Sequence, residues 1–209
     1  MECFWSAGVP PATILIQHLR AGRPRSQEQK ESEMSPIALA RRIYSVCNLK
    51  GSFLLRSGKV SSEYFDKYLF ESQPDLLREI ARGLVPRIPV GTEILAGLEM
   101  GGIPVATALS LETGLPALFV RKEPKAYGTC KLAEGGDFKG RNVLVIEDVV
   151  TTGGAILDGV RALREQGARI DTVLCVIDRE SGGAENLKGL GLTLKPLFTA
   201  TELRAAGEK

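Results

Sequence analysis

From Ile37 onward the apolar positions fall into short segments that alternate between the period of a helix and the unbroken runs of a buried strand. Ile37, Leu39, Ala40, Ile43, Tyr44, Val46 and Cys47 recur at helical spacing behind Ser35 and Pro36, a good N-cap and first-turn pair, and predict a helix ending near Asn48. Residues 53–67 read as two strand-like pieces about a turn at Ser57 and Gly58. The pattern continues as a helix over 74–85, a strand over 93–98, a helix over 103–112 and a strand over 117–120. A strand over 142–146, a helix over 155–166 stopped by Gly167, and strands over 171–177 and 194–198 complete it. Such alternation with short connections predicts an α/β fold: a central parallel sheet, helices on both faces, and ligands at the C-terminal ends of the strands.

Residues 1–33 differ in character. Pro10, Pro11 and Pro24 interrupt them, and 27–33 is a polar, charged run without apolar period, so they predict a poorly ordered extension before one domain over 34–209. A start of translation at Met34 would give the same domain. At 209 residues the chain suits a single well-buried α/β domain. A net charge of +2 gives no general nucleic-acid surface, and no apolar run reaches the roughly 18 residues that span a bilayer. Cys3, Cys47, Cys130 and Cys175 are scattered without a C-x-x-C pair, and His18 is the single histidine, which argues against zinc or a disulfide framework and for a reducing, cytoplasmic setting.

The chemistry concentrates at 142–154, N-V-L-V-I-E-D-V-V-T-T-G-G. An apolar run suited to a buried parallel strand ends at Ile146; Glu147 and Asp148 stand where that strand would end, and Thr151, Thr152, Gly153 and Gly154 precede a helix. Free amides at a helix N-terminus and close-approach glycines favour a phosphate, while paired carboxylates accept hydrogen bonds from vicinal sugar hydroxyls. The alternative is an ordinary strand-to-helix turn whose acids cap the helix. Neither the P-loop nor the G-x-G-x-x-G spacing is present. Residues 121–131 carry Arg121, Lys122, Lys125 and Lys131 against Glu123, with no period; they read either as a solvated loop or as one that folds over a polyanion. The 53–67 segment could likewise be no more than an exposed hairpin.

I-E-D-V-V-T-T-G-G resembles the ribose-phosphate signature of type I phosphoribosyltransferases. R-K-E-P-K-A-Y-G-T-C-K resembles the mobile loop of the orotate phosphoribosyltransferase family, and F-L-L-R-S-G-K-V-S-S-E-Y-F-D-K its N-terminal base-binding hairpin; A-G-L-E-M-G-G-I-P-V-A and the strand-end D-R-E agree. The likeness runs from Ile37 to about Glu202. It implies the fold of that family, with a hood-like N-terminal hairpin and a mobile basic loop. By the same likeness Glu147 and Asp148 would hold the ribose hydroxyls, and Val149, Val150, Thr151, Thr152, Gly153, Gly154 and Ala155 would wrap the 5-phosphate. Arg121, Lys122, Lys125, Tyr127 and Lys131 would meet the diphosphate, Lys122 and Lys125 most directly; with Glu147 and Asp148 those two lysines form the implied catalytic set. Arg56, Tyr64, Phe65, Thr151 and Arg179 would border orotate. Tyr127 stands where some members have histidine and Gly101 where some have lysine.

The implied reaction displaces diphosphate from C1 of 5-phosphoribosyl 1-diphosphate by N1 of orotate, giving orotidine 5′-monophosphate, a step of pyrimidine synthesis. Mg²⁺ would ride on the diphosphate near Asp148, with no protein ligand assigned, and the partner would be a second copy of the chain sharing its sites. A fused decarboxylase would need a further domain, so the transferase alone is expected. A purine or other base would keep the signature without the hairpin and loop; a non-catalytic regulator that senses the same diphosphate would lose the loop lysines.

Overall fold

The computed structural model describes residues 34–54, 58, 60–123 and 132–208. The 1–33 extension, Arg56 in the hairpin turn, and Lys125, Tyr127 and Lys131 of the basic loop lie outside these residues.

Helix α1 (Pro36–Cys47) opens where Ser35 Oγ accepts the Ala38 N–H at 3.3 Å and Pro36 presets the first turn. It runs directly into β1 (Asn48–Leu54), which pairs antiparallel with β2 (Val60–Phe65) as a two-stranded hairpin outside the main sheet. Then come α2 (Tyr68–Glu71), α3 (Pro74–Leu84), β3 (Ile94–Leu98), α4 (Gly102–Thr113), β4 (Ala117–Val120) and β5 (Ala133–Glu134). The chain continues through β6 (Val143–Val150), α5 (Gly154–Glu165), β7 (Thr172–Asp178), α6 (Gly183–Lys188), β8 (Thr193–Thr199) and α7 (Ala200–Gly207).

The main sheet has the order β5-β4-β3-β6-β7-β8, parallel except where β5 meets β4. From β3 the chain grows outward through β4, then crosses back to lay β6 on the other side of β3. That reversal opens a crevice beyond the C-terminal ends of β3 and β6, where open α/β sheets bind ligands. Alternating strand residues feed two cores. Leu95, Leu144, Ile146 and Leu174 pack with α1, α3, α4 and α7, while Ile94, Ala96, Val143, Val145 and Val173 pack with α5 and α6. Burial on both faces explains why these strands read as unbroken apolar runs.

The alternating elements and the parallel sheet expected from the sequence are present. One expectation changes: β6 continues through Val150, so Glu147 and Asp148 lie within the strand and not beyond its end. The ladder with β7 holds them there, because Glu147 pairs with Cys175 and Val150 with Asp178. Helices α2 and α6 and strand β5 are too short to show a period. Helix α7 did carry a signal in the sequence, the Thr199-x-x-Glu202 capping box, which forms here.

Candidate active site

After β6 the chain turns sharply. Thr151 and Thr152 are exposed, and Gly153 takes a left-handed conformation (φ 77°) as N-cap of α5. The first N–H groups of α5 have no intrahelical acceptor and point into this turn. Two neighbours fix it: the Arg179 N–H donates to Val150 O at 2.8 Å, and Asn186 Nδ2 of α6 donates to Thr152 O at 3.0 Å. The side chain of Val150 is buried in the core with α5 and α6, and that of Val149 packs against the core on the other face of the sheet, so these two offer the turn only backbone, whereas Gly154 and Ala155 are exposed. Exposed amides at a helix N-terminus make such a turn suited to an anion.

The acids just before it are buried, Glu147 8% exposed and Asp148 0%. Asp148 Oδ1 accepts the Val149 N–H at 2.5 Å, and Glu147 Oε1 accepts the Asp148 N–H at 3.0 Å. Lys67, between β2 and α2, places Nζ 2.5 Å from Asp148 Oδ2, an ion pair without hydrogen-bond alignment. Glu71, four residues on, brings a third carboxyl against Asp148. Burial and then the neighbouring Asp148 raise Glu147 well above its ordinary value and push Glu71 up to about 9. Burial also opposes ionisation of Asp148, but its contacts with Glu147, Glu71 and the Lys67 ammonium outweigh that and hold it below the usual carboxylate value. Burial lowers Lys67, and Asp148 more than restores it. The cluster therefore favours the charge on Asp148 and Lys67 and disfavours it on Glu147 and Glu71.

Opposite this cluster, Gly101 caps α4, and a Cβ built on it would lie 1.7 Å from Asp148 Oδ2. The space that a side chain at Gly101 would need is thus where the carboxylate rests. Next to it Glu99 Oε2 accepts the Lys122 N–H at 3.1 Å and Arg121 N–H donates to Leu132 O at 2.9 Å, which roots the basic loop at the end of β3. Arg121 and Lys122 are both exposed.

On the other side lies a cavity of about 230 Å³, lined among others by Phe65, Arg179, Ser61, Glu63 and Arg204. The Arg179 guanidinium stands over the Phe65 ring at 5.8 Å. Tyr64 does not line this cavity. Neighbouring strand residues point to opposite faces, and its ring instead lies 5.5 Å from that of Phe53. Thr151 is also absent from the lining, one residue past the strand end. The structure thus gathers Glu147, Asp148, the 149–155 turn, Arg121, Lys122 and Arg179 at one end of the sheet. Sequence reasoning gave no role to Lys67, Glu71 or Glu99. Lys67 and Glu71 had a weak signal, an i, i+4 pair just after the hairpin. Among the described residues no group of three or more His, Cys, Asp or Glu side chains is arranged to hold a metal ion, and no helix is long and apolar enough to cross a membrane.

Comparison with known proteins agrees with this geometry. The family model described as phosphoribosyl transferase domain matches residues 71–190. The orotate phosphoribosyltransferase of Nocardioides sp. is 56% identical over 170 residues, covering 81% of this chain and 95% of that protein. Among solved structures, orotate phosphoribosyltransferase of Mycobacterium tuberculosis H37Rv in complex with inorganic phosphate superposes with a TM-score of 0.73 at 28% identity, covering 81% of this chain and 98% of that one. The same enzyme in complex with 5-phospho-α-D-ribosyl 1-diphosphate gives a TM-score of 0.69 at 28% identity, with the same coverage.

Proposed function

The chain belongs to the orotate phosphoribosyltransferase family, and we infer from that membership and from the site that it transfers ribose 5-phosphate from 5-phosphoribosyl 1-diphosphate to orotate, a step of pyrimidine synthesis. The observation that carries the reading is the junction of acidic pair and anion cradle at the sheet's switch point, with the Phe65–Arg179 cavity beside it. We assign the 5-phosphate to the cradle of Val149 to Ala155 and the sugar hydroxyls to Glu147 and Asp148. Orotate, a planar anion, suits a cavity built of an aromatic ring and a guanidinium. Arg121 and Lys122 at the loop root, with Lys125, Tyr127 and Lys131 further along, are assigned to the diphosphate.

Bond breaking at C1 leaves positive charge on the sugar and negative charge on the departing diphosphate. The site answers with opposite charges at its two ends, Asp148 at one and the loop cations at the other, and the catalysis is electrostatic and positional. Orotate carries a carboxylate and an acidic ring nitrogen, whose proton passes to water or to the departing diphosphate as the N1–C1 bond forms, so no base on the chain is invoked. Mg²⁺ fits as an ion held chiefly by the diphosphate, since the nearby protein donors are hard carboxylate and hydroxyl oxygens. When bound it neutralises charge on the leaving group. Free, buried Cys47 and Cys175 suit a reducing, cytoplasmic setting. The test is product formation from 5-phosphoribosyl 1-diphosphate with orotate, uracil, adenine or hypoxanthine offered singly. Orotidine 5′-monophosphate from orotate is expected; turnover of a purine in its place would overturn the assignment.

A further inference from the structure

We propose that Lys67 is a positioning residue for this reaction: through its ion pair with Asp148 it decides which of three crowded carboxyl groups carries the negative charge. Asp148, Glu147 and Glu71 meet where water is largely excluded, and three ionised carboxylates cannot share such a place. Among the described residues one ammonium faces them, and its nitrogen is 2.5 Å from Asp148 Oδ2. The carboxylate it selects is also the one leaning over Gly101 at the N-terminus of α4, whose amide dipoles favour negative charge. Lys67 and Glu71 come from the same short segment, so the turn after the hairpin delivers both the counter-ion and a competing acid.

The other groups around the cluster do not replace the ammonium. Asp66 adds a further negative charge near Glu71, and the Tyr68 ring stands 5.1 Å from Lys67 Nζ. On β7 the Cys175 thiol is held neutral by its burial, and Asp178 accepts the Glu180 N–H. Without Lys67, Asp148 would keep its contacts with Glu147, Glu71 and the Val149 N–H but lose the cation that faces it among the described residues. Its proton would then be retained to higher pH, and the group assigned to the developing cation would enter the reaction uncharged. Lys67 acts through Asp148 and needs no contact with substrate.

The inference rests on the assignment of Asp148 to the sugar, and the experiment separates the two. kcat/KM for 5-phosphoribosyl 1-diphosphate is measured at saturating orotate across the acid and neutral range for wild type, Lys67→Met, Lys67→Gln and Lys67→Arg. Both uncharged variants should move the acid limb upward by about one pH unit, equivalent to about a tenfold loss below the limb, and recover towards wild type in alkali. Lys67→Arg should keep the wild-type limb. Gln retains a polar tie to Asp148 and so tests the charge even if the Met variant fails to fold. An unmoved acid limb in folded Lys67→Gln, whatever its melting temperature, would make the pair a mere tie between hairpin and sheet and overturn the proposal. Wild-type protein inactive with orotate at every pH would instead overturn the functional assignment.

Discussion

At Gly101 the backbone has an ordinary helical shape (φ −74°, ψ −33°) that any residue accepts, yet a Cβ there would stand 1.7 Å from Asp148 Oδ2. The constraint is steric, and the nearest atoms are those of the carboxylate. Gly101→Ala should therefore displace Asp148 and lower kcat/KM by about tenfold to a hundredfold, the cost of misplacing a reacting group by about an ångström. A variant with wild-type kinetics would show that Asp148 swings clear at no cost. Glu71 makes a prediction in pH. Its carboxyl titrates near 9 in the folded protein, above the ordinary value, so between the two values the unfolded chain binds fewer protons than the folded one. Its contribution is full below the unfolded value and is lost as pH rises towards 9. Glu71→Gln removes that loss, and its melting temperature should gain on wild type more at about pH 8.5 than at about pH 5. A gain that does not grow with pH would mean Glu71 is ionised in the folded state. Residues of this kind show what a sequence conceals. Glu147 and Asp148 stand out because two acids follow an apolar run, whereas the role of Lys67 exists only once the hairpin is folded against β6.

Among the elements, the strand, turn and helix from β6 to α5 were the most legible, because all their signals are contiguous: an apolar run, hydroxyls, glycines and then a helical period. Only the strand end was misplaced, since Val149 and Val150 continue a ladder whose partner is β7. The base side was less legible. Alternation along β2 sends Tyr64 and Phe65 to opposite faces, but nothing in the sequence says which face meets Arg179. The turn itself is testable at Gly153, whose φ of 77° places it in the left-handed region. Gly153→Ala should cost about 1–2 kcal/mol of stability and, by reshaping the cradle, raise KM for 5-phosphoribosyl 1-diphosphate more than it lowers kcat. Thermal melts and initial rates check both parts; a stability loss with an unchanged KM would remove the turn from phosphate binding.

For the molecule as a whole, α4 carries the argument, because it is apolar nearly all round while only one side of it meets the sheet. Leu111 is 84% exposed, and a groove of about 440 Å³ between α3 and α4 is lined by Pro74, Leu77, Pro104, Ala108 and Leu111, with Arg78, Thr107 and Glu112 also on its walls. A helix of that composition is usually covered on both sides. If a second copy of the chain is the cover, the result is a two-fold dimer with paired sites. Because the Lys122 N–H roots the loop on Glu99 of its own subunit, any reach across the dimer belongs to residues further along, and Lys125 is the position to disable. Lys125→Ala and Asp148→Asn should each cost about a hundredfold or more in kcat, as loss of one charge aimed at the transition state commonly does. If the loop completes the neighbour's site, a mixed dimer bearing one lesion on each chain concentrates both in one site and leaves the other intact. Mixing the two inactive proteins should then restore activity, towards half of wild type per mixed dimer, once differently tagged chains show that subunits have exchanged. Activity that stays at the parental level after proven exchange would mean that each loop serves its own subunit.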